Sequence, residues 1–347
     1  MKVSKTKAQI IQDAIVKWES SGTLSQAESQ RLMTSIEIEA FDWQRLAKYS
    51  MWTSVICILI SVGAVLADKV LLELLQKWFN APDIVKCLGI AGAAGGLYYW
   101  GAHRRRTKPH MNYSNEAIFL LGVLATAGSI FYFGKAIDTG SGHFSLLLLL
   151  SFVVYAALGI YLDSVLIWIF SILSFGSWFG TETGYASGWG AYYLGMNYPL
   201  RFVLFGSLLL ASCYAFLKNK RLEPFHRSTH ILGMLYLFIA LWILSIFGNY
   251  GDMHSWHAIK QIELFHWSLL FGLASGGAIY QGLKYDNGAS RGFGISFLFI
   301  NLYTRFFEYF WDSIHKAIFF SLLGVSLWII GSRAEKIWHL GRAKDKS

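Results

Sequence analysis

The sequence predicts an all-α, polytopic membrane protein with about ten transmembrane helices and an N-terminal cytoplasmic pair of amphipathic helices. The first observation is composition: of 347 residues, 54% are hydrophobic and only 15% are charged, whereas soluble domains carry about 25% charged residues. The second is that apolar runs long enough to span a bilayer recur along the chain. The third is that Lys and Arg are concentrated in alternate polar breaks between these runs, which is typical of multi-span proteins.

Composition divides the chain into three parts. We expect residues 1–48 to form a cytoplasmic helical segment and residues 49–333 to form the transmembrane domain. Residues 334–347 are expected to form a basic cytoplasmic tail. The class of protein is therefore a membrane protein whose main partner is the lipid bilayer.

The segment 1–48 predicts two helices. Apolar residues at three- and four-residue spacing define one face of the first helix, namely Ile10, Ile11, Ala14, Ile15 and Trp18. Ser25 and Glu28 have the spacing of a capping box, which marks the start of the second helix. Such a pair is typical of a packing or dimerisation element in a homo-oligomer, and alternatively of a docking site for a partner protein.

The apolar runs predict the transmembrane spans directly. Their expected bounds are 50–67, 84–101, 117–136, 144–161, 165–180, 200–217, 230–248, 264–282, 293–309 and 316–332. The polar break Leu162-Asp163-Ser164 leaves two interpretations open for residues 144–180: two spans, or one interrupted span. The second interpretation would overturn the orientation that follows.

Orientation follows from the basic residues in the breaks. Alternate breaks are rich in Lys and Arg and hold Arg104, Arg105, Arg106, Lys108, Lys218, Lys220, Arg221, Arg227, Lys284 and Arg291. The intervening break 181–199 holds no Lys or Arg. By the positive-inside rule we expect both termini on the cytoplasmic side. The net charge of +9 then needs no nucleic-acid partner to explain it.

Both ends of the chain carry segments that resemble a known family. The segments are Trp18-Glu19-Ser20-Ser21-Gly22-Thr23-Leu24-Ser25, Asn301-Leu302-Tyr303-Thr304-Arg305-Phe306-Phe307-Glu308 and Lys316-Ala317-Ile318-Phe319-Phe320. They resemble the bacterial predicted multi-span membrane proteins of domain of unknown function family 2157. The resemblance implies a protein of the bacterial inner (cytoplasmic) membrane and supplies no catalytic residue.

Ionisable residues at membrane depth indicate candidate functional residues, because a charge at the centre of the bilayer costs about 2.5–3.5 kcal/mol or more unless it is paired or hydrated. Arg305 and Glu308 have the spacing of an ion pair on one helical face. Asp312 and His315 continue the cluster toward the outer interface. The cluster is interpreted either as a structural ion pair that orients one helix, or as part of a substrate or proton pathway.

A second candidate cluster lies in an outward break and consists of Asp252, His254, His257 and Glu263. His254 and His257 have a spacing at which two imidazoles can share one metal ion, with a carboxylate as a further ligand. The alternative is that interfacial His and Trp residues anchor the helix. The sequence predicts no cofactor, and a divalent metal at this site is the one alternative left open.

The longest outward break runs from Thr181 to Pro199 and is rich in Gly and aromatic residues. Glu182 and Trp189 are its candidate substrate-pathway residues, because aromatic rings offer stacking surfaces for sugar or isoprenoid groups. An ordinary aromatic belt explains most of this composition. A re-entrant hairpin or a lid over an outward cavity is the alternative interpretation.

Three hypotheses for function remain. The first is a secondary transporter or flippase-like protein for a small or lipid-linked substrate, and the second is a membrane-embedded enzyme with an outward-facing His and carboxylate site. The third is a non-catalytic scaffold or sensor that uses its N-terminal helix pair. The chain carries no Walker A or Gly-x-Ser-x-Gly motif, so ATP-driven transport by this chain alone is excluded.

Overall fold

The computed structural model describes residues 2–35, 37–39, 49–58, 60–61, 81–138, 140, 142–311 and 314–338. The chain divides into two units. One comprises Met1–Pro82 with Gly96–Leu121, and the other comprises Asp83–Gly95 with Gly122–Ser347. The predicted tail, residues 334–347, lies mostly outside the described residues, and so does Asp312.

The first unit begins with a short strand and two helices: β1 (Lys2–Ser4), α1 (Lys5–Ser20), α2 (Gln26–Thr34) and β2 (Glu37–Glu39), with β1 and β2 paired in parallel. Both hydrogen bonds of the capping box are present, since Ser25 accepts from the Glu28 amide and Glu28 accepts from the Ser25 amide. Ile15 is buried, whereas Ile10 and Trp18 of the same predicted face are exposed. The face is therefore only partly covered within the chain.

Helices account for most of the remaining described residues. They are α3 (Tyr49–Ile58), α4 (Asp83–Thr107), α5 (Asn112–Ile137), α6 (Ser145–Tyr161), α7 (Val165–Ala186), α8 (Tyr198–Phe216), α9 (His226–Phe247), α10 (Met253–His257), α11 (Phe265–Lys284), α12 (Gly288–Phe310) and α13 (Lys316–Trp338), with 3-10 turns at Glu223–Phe225 and Gln261–Leu264. Each predicted span from 84–101 onward coincides with one helix. The span 50–67 lies partly outside the described residues.

Five of these segments are long and apolar enough to cross a membrane: Asn112–Ile137, Val165–Ala186, Tyr198–Phe216, Glu223–Phe247 and Ile262–Lys284. A helix needs about 20 apolar residues to span the hydrocarbon core. The structure is therefore that of a helical protein with several segments suited to a membrane. The number of ten spans and the direction of each remain predictions.

The break after α6 is a turn between two helices. Asp163 has a φ of 49°, and the Ser164 side chain accepts a hydrogen bond from the Ile167 amide to cap α7. A Cβ at Gly159 would lie 3.2 Å from the backbone nitrogen of Trp168, so the two helices approach closely just beside the turn. Residues 144–180 are thus two helices, not one interrupted helix.

Consecutive helices pack in pairs, α6 with α7, α8 with α9, and α11 with α12, and α9 also contacts α7, α11 and α12. Glycine permits the closest of these approaches. A Cβ at Gly206 would lie 2.6 Å from the amide nitrogen of Leu237, and one at Gly282 would lie 2.5 Å from that of Arg291. Helix α9 is therefore the central element of this unit, and the ends of its neighbours meet around its two ends.

Candidate functional site

The carboxyl end of α9 is where most of the predicted site residues lie. Asn197, at the start of α8, donates a hydrogen bond of 2.7 Å to the Gly248 carbonyl just beyond α9. Arg305, near the end of α12, donates a bond of 2.8 Å to the Ser245 carbonyl within α9. These bonds bring the start of α8 and the ends of α9 and α12 together at one end of the helix pairs.

Arg305 and Glu308 form the direct ion pair that their spacing predicts. Arg305 Nη2 donates to Glu308 Oε1 over 2.8 Å, and Nη1 lies 2.5 Å from Oε2. The side chains are only 10% and 14% exposed. Arg305 Nε is buried and has no hydrogen-bond partner among the described residues. The pair is thus held in an apolar environment, where each charge depends on the other.

An apolar groove of about 690 Å³ lies beside this pair on the α9 and α12 surfaces, and its lining residues are Trp242, Ile246, Phe299, Ile300, Tyr303, Thr304, Phe307 and Glu308. The polar atoms of the lining are engaged: Trp242 Nε1 donates to Thr304 Oγ1 over 3.0 Å, and Tyr303 lies 3.0 Å from Ser326 Oγ. Glu308 is the one charged residue in the lining. The volume falls within the range of about 300–1,000 Å³ that is usual for ligand pockets.

Helix α12 turns a polar face inward, a feature that the sequence reasoning missed. Asn301 is buried and donates to the Ser268 carbonyl over 2.9 Å, while its own oxygen accepts from the Ser268 hydroxyl over 2.7 Å. Nearer its start, Ser290 is 2.8 Å from His230 Nε2. The sequence does contain the pattern that predicts this face. Small or polar residues recur with the helical period at positions 290, 294, 301, 305 and 308.

Glu182 lies in a second polar cluster, at the end of α7. His143 Nε2 lies 3.0 Å from Glu182 Oε2, and the same oxygen accepts a hydrogen bond from the Ser145 hydroxyl. The Tyr185 ring stacks on His143 with a centroid separation of 3.9 Å. His143 and Ser145 were not predicted as site residues. They are 39 and 37 residues from Glu182 in sequence, so spacing alone gave no signal.

Trp189 lies beside this cluster in a left-handed backbone conformation, with a φ of 60°. Its amide donates to the Gly184 carbonyl over 2.7 Å, and its ring stacks with Phe144 at a centroid separation of 6.1 Å. The residue is nevertheless 57% exposed. The two residues predicted from the outward break, Glu182 and Trp189, thus lie at the same helix ends.

The segment after Glu182 does not form a re-entrant hairpin, because α7 continues to Ala186 and is followed by a turn that Arg201 holds in place. Arg201 is fully buried and donates to the carbonyls of Met196 and Ala191 over 2.9 and 3.1 Å. Its guanidinium lies 4.4 Å from the centre of the Tyr198 ring. A turn tied by a buried guanidinium is better described as a fixed cap than as a moving lid.

The proposed metal ligands have other local roles. Asp252 caps α10, because its carboxylate accepts from the amide and the hydroxyl of Ser255, both over 2.7 Å. These bonds hold the pKa of the Asp252 carboxyl below its usual value. His254 and Glu263 are exposed. Among the described residues, no group of three or more His, Cys, Asp or Glu side chains is placed to hold a metal ion, so the metal hypothesis gains nothing from the geometry.

The remaining predicted residues in the described part of the chain are His257, from the metal hypothesis, and His315, from the Arg305 cluster. The His257 ring meets the Trp256 ring edge to face at 4.7 Å. His315 Nδ1 accepts a hydrogen bond of 3.3 Å from the Ala317 amide at the start of α13. Of the predicted Arg305 cluster, the structure brings together Arg305 and Glu308, while Asp312 lies outside the described residues.

Comparisons of this chain with protein-family models, with curated proteins and with solved structures found no match. Several apolar helices in the described part of the chain are long enough to span a membrane, which is compatible with the class of α-helical membrane proteins. Within that class, function has to be argued from the geometry of the groove and of the two carboxylate clusters.

Proposed function

We propose that this protein is a secondary transporter or flippase-like protein for a lipid-linked substrate, whose chain lies in the groove beside Glu308. The observation that carries the proposal is the contact between the apolar groove and the Arg305–Glu308 ion pair. A lipid-linked substrate has the same two parts, an apolar chain and a charged or polar head group. The groove matches the first part, and the ion pair matches the second.

The ion pair supplies a physical means of binding and release. A guanidinium binds phosphate and carboxylate groups through paired hydrogen bonds, so an anionic head group competes with Glu308 for Arg305. A proton on Glu308 removes its charge and frees Arg305 for the anion. Exchange of one anionic partner for the other would couple substrate movement to proton movement, as secondary transport requires. The buried Arg305 Nε, which has no partner among the described residues, is a further donor for the same anion.

The setting of the protein belongs to the same proposal. We place it in the bacterial inner membrane with both termini in the cytoplasm, on the basis of the positive-inside pattern and of the resemblance to family 2157. In this orientation the basic residues of the breaks face the cytoplasmic leaflet. Anionic lipids of the cytoplasmic leaflet are partners for these basic residues.

A scaffold function is the second candidate, and one observation favours it. Ile10 and Trp18 on α1 are 64% and 50% exposed, which leaves an apolar stripe for a second copy of the chain or for a partner protein. A scaffold does not require a groove that ends at an ion pair, however. We therefore rank it below lipid transport.

The test is a lipid-translocation assay with the full-length protein in proteoliposomes. The probes are a fluorescent phospholipid and a fluorescent isoprenyl phosphate, each measured by dithionite quenching. Ile300→Trp fills the groove, and we expect it to slow translocation of the substrate probe by about tenfold or more, since a blocked pocket loses its ligand contacts. Leu302→Trp is the matched control, because Leu302 lies on the same helix, is 56% exposed and does not line the groove.

Two results would overturn the proposal. One is that neither probe moves faster than in protein-free vesicles, with or without a proton gradient. The other is that Ile300→Trp and Leu302→Trp translocate lipid equally fast. Rapid translocation that Ile300→Trp alone removes supports the groove as the pathway.

A further inference from the structure

Neighbouring groups orient the carboxylate of Glu182 through one of its two oxygens, and the other oxygen can accept a hydrogen bond from a ligand. Both donors, His143 Nε2 and Ser145 Oγ, reach the same oxygen, Oε2. The other oxygen, Oε1, has no hydrogen bond among the described residues. The Glu182 side chain is 30% exposed and His143 is 27% exposed, whereas Ser145 is buried. The cluster thus presents a fixed acceptor to the outside of the helix pair.

His143 is itself held in place. Its ring is stacked on Tyr185 with an angle of 5° between the planes, and its Nε2 is engaged with Glu182. A ring fixed by stacking and by one hydrogen bond keeps the carboxylate in a single orientation. Such support of an exposed carboxylate is typical of a binding site and is not needed for solubility.

The conformation of Trp189 needs a reason other than burial. A non-glycine residue in the left-handed region costs about 1–2 kcal/mol, and residues of this kind cluster at functional sites. Burial of the indole does not offset this cost, because 57% of Trp189 is exposed. Gly184 lies beneath it, and a Cβ there would overlap the Tyr198 hydroxyl and lie 3.1 Å from the indole ring. The local structure therefore presents one flat aromatic face to the exterior.

The shape of the aromatic surface distinguishes between ligand classes. The Phe144 and Trp189 rings are separated by 6.1 Å between centroids, at 22° between planes. Two rings stacked in this way leave no gap for an organic cation, which requires rings on several sides. A flat face next to a carboxylate suits a sugar, whose apolar face stacks on an indole while its hydroxyl groups donate to the carboxylate.

We propose that Trp189 and Glu182 form a binding site for a neutral glycosyl group, with the sugar ring stacked on Trp189 and a sugar hydroxyl donating to Glu182 Oε1. His143 and Ser145 are positioning residues that orient the carboxylate. The glycosyl group can belong to a soluble glycoside or to the head group of a glycolipid. The site stands apart from the groove, so it does not rest on the transport proposal.

Binding is tested by saturation-transfer difference NMR with the full-length protein in nanodiscs. Maltoside and glucoside detergents are removed first, because their head groups would occupy the site. The probes are methyl β-D-glucopyranoside and methyl N-acetyl-β-D-glucosaminide, and choline serves as the cationic comparison. We expect saturation of the sugar ring protons in the wild-type protein and about tenfold weaker binding of glycoside in Trp189→Ala, since one stacking contact is removed.

The matched control is Trp328→Ala, which removes an indole that is 72% exposed on α13 and should leave glycoside binding unchanged. Glu182→Gln should weaken binding, and Trp189→Phe, which keeps an aromatic face, should retain part of it. Thermal unfolding of each variant separates a lost site from a lost fold. If the Trp189→Ala variant unfolds, the proposed site is tested in two other ways. These are glycoside binding by Glu182→Gln and competition between the two glycosides in the wild-type protein.

The source of the glycosyl group is tested with the same sugars carried on a lipid in the nanodisc. If the free glycoside displaces the lipid-borne sugar, both bind at one shared site. If only the lipid-borne sugar binds, and Trp189→Ala weakens that binding, the ligand is a glycolipid head group. Absence of saturation transfer for both presentations overturns the proposal. So does equal binding in wild type, Trp189→Ala and Glu182→Gln, or a preference for choline.

Discussion

Glu308 and Glu182 lie near the ends of two different helix pairs and each has a nitrogen-bearing partner, but their surroundings differ. The Glu308 and Arg305 side chains are 14% and 10% exposed, whereas Glu182 and His143 are 30% and 27% exposed. Glu308 borders an apolar groove, and Glu182 adjoins an exposed indole. The comparison shows that a carboxylate can be held by a buried counter-ion, or by a histidine and a hydroxyl group nearer the surface. The first arrangement is far more sensitive to loss of its partner.

The largest expected effect comes from breaking the buried pair. Arg305→Met leaves the Glu308 charge without its partner, and we expect this to lower the free energy of unfolding by about 3–5 kcal/mol. The measurement is reversible unfolding in mixed micelles, with Arg305→Met/Glu308→Met as the matched double variant. The double variant should recover most of the loss. A loss in Arg305→Met below about 1 kcal/mol would mean that water reaches the pair and that the comparison is wrong.

A smaller effect is expected at the exposed cluster. Glu182→Gln keeps an oxygen that accepts from Ser145, so the loss of unfolding free energy should be less than about 1 kcal/mol, as for other exposed pairs. Glu308→Gln, measured in parallel, should cost more than Glu182→Gln because Arg305 then lacks a counter-ion. Equal losses in the two variants would show that exposure does not distinguish the two sites.

The smallest effect is expected at Asp252, an exposed carboxylate that is held only by local bonds from Ser255. Its pKa is lowered, first by the Ser255 amide and then by the Ser255 hydroxyl. Its contribution to stability is therefore present above the pKa of the unfolded chain, and is lost as the pH falls through the lower pKa of the folded protein. Ser255→Ala should raise the pKa of Asp252 toward its ordinary value, as followed by carbon-detected NMR titration. An unchanged pKa would assign the shift to the amide alone.

Local patterns predicted much of this fold. The apolar runs located the helices α4 to α9 and α11 to α13, because hydrogen bonding within a helix and the need for apolar side chains are properties of one segment. The ion pair of Arg305 and Glu308 followed from spacing on one helical face. The capping box at Ser25 and Glu28 followed for the same reason.

Other features depended on which helix ends meet. Glu182 was singled out from the sequence, but its partners were not. Ser145 is the first residue of the preceding helix α6, and His143 lies in the segment just before that helix. The fully buried Arg201 was not among the residues that the sequence singled out. Its role became evident only when the carbonyls of Ala191 and Met196 were seen to converge on it. No pattern within one segment carries that information.

The sequence determines that the chain is apolar and helical, and that Arg305 pairs with Glu308. Both features depend only on residues within a single helix. The groove, the exposed Trp189 face and the Glu182 cluster arise only in the packed structure. They form where separate helices end beside one another, and the positions of those ends depend on close approaches such as the one at Gly206. Such sites are formed by contacts between segments that are distant in sequence, and those contacts cannot be read from the pattern of any one segment.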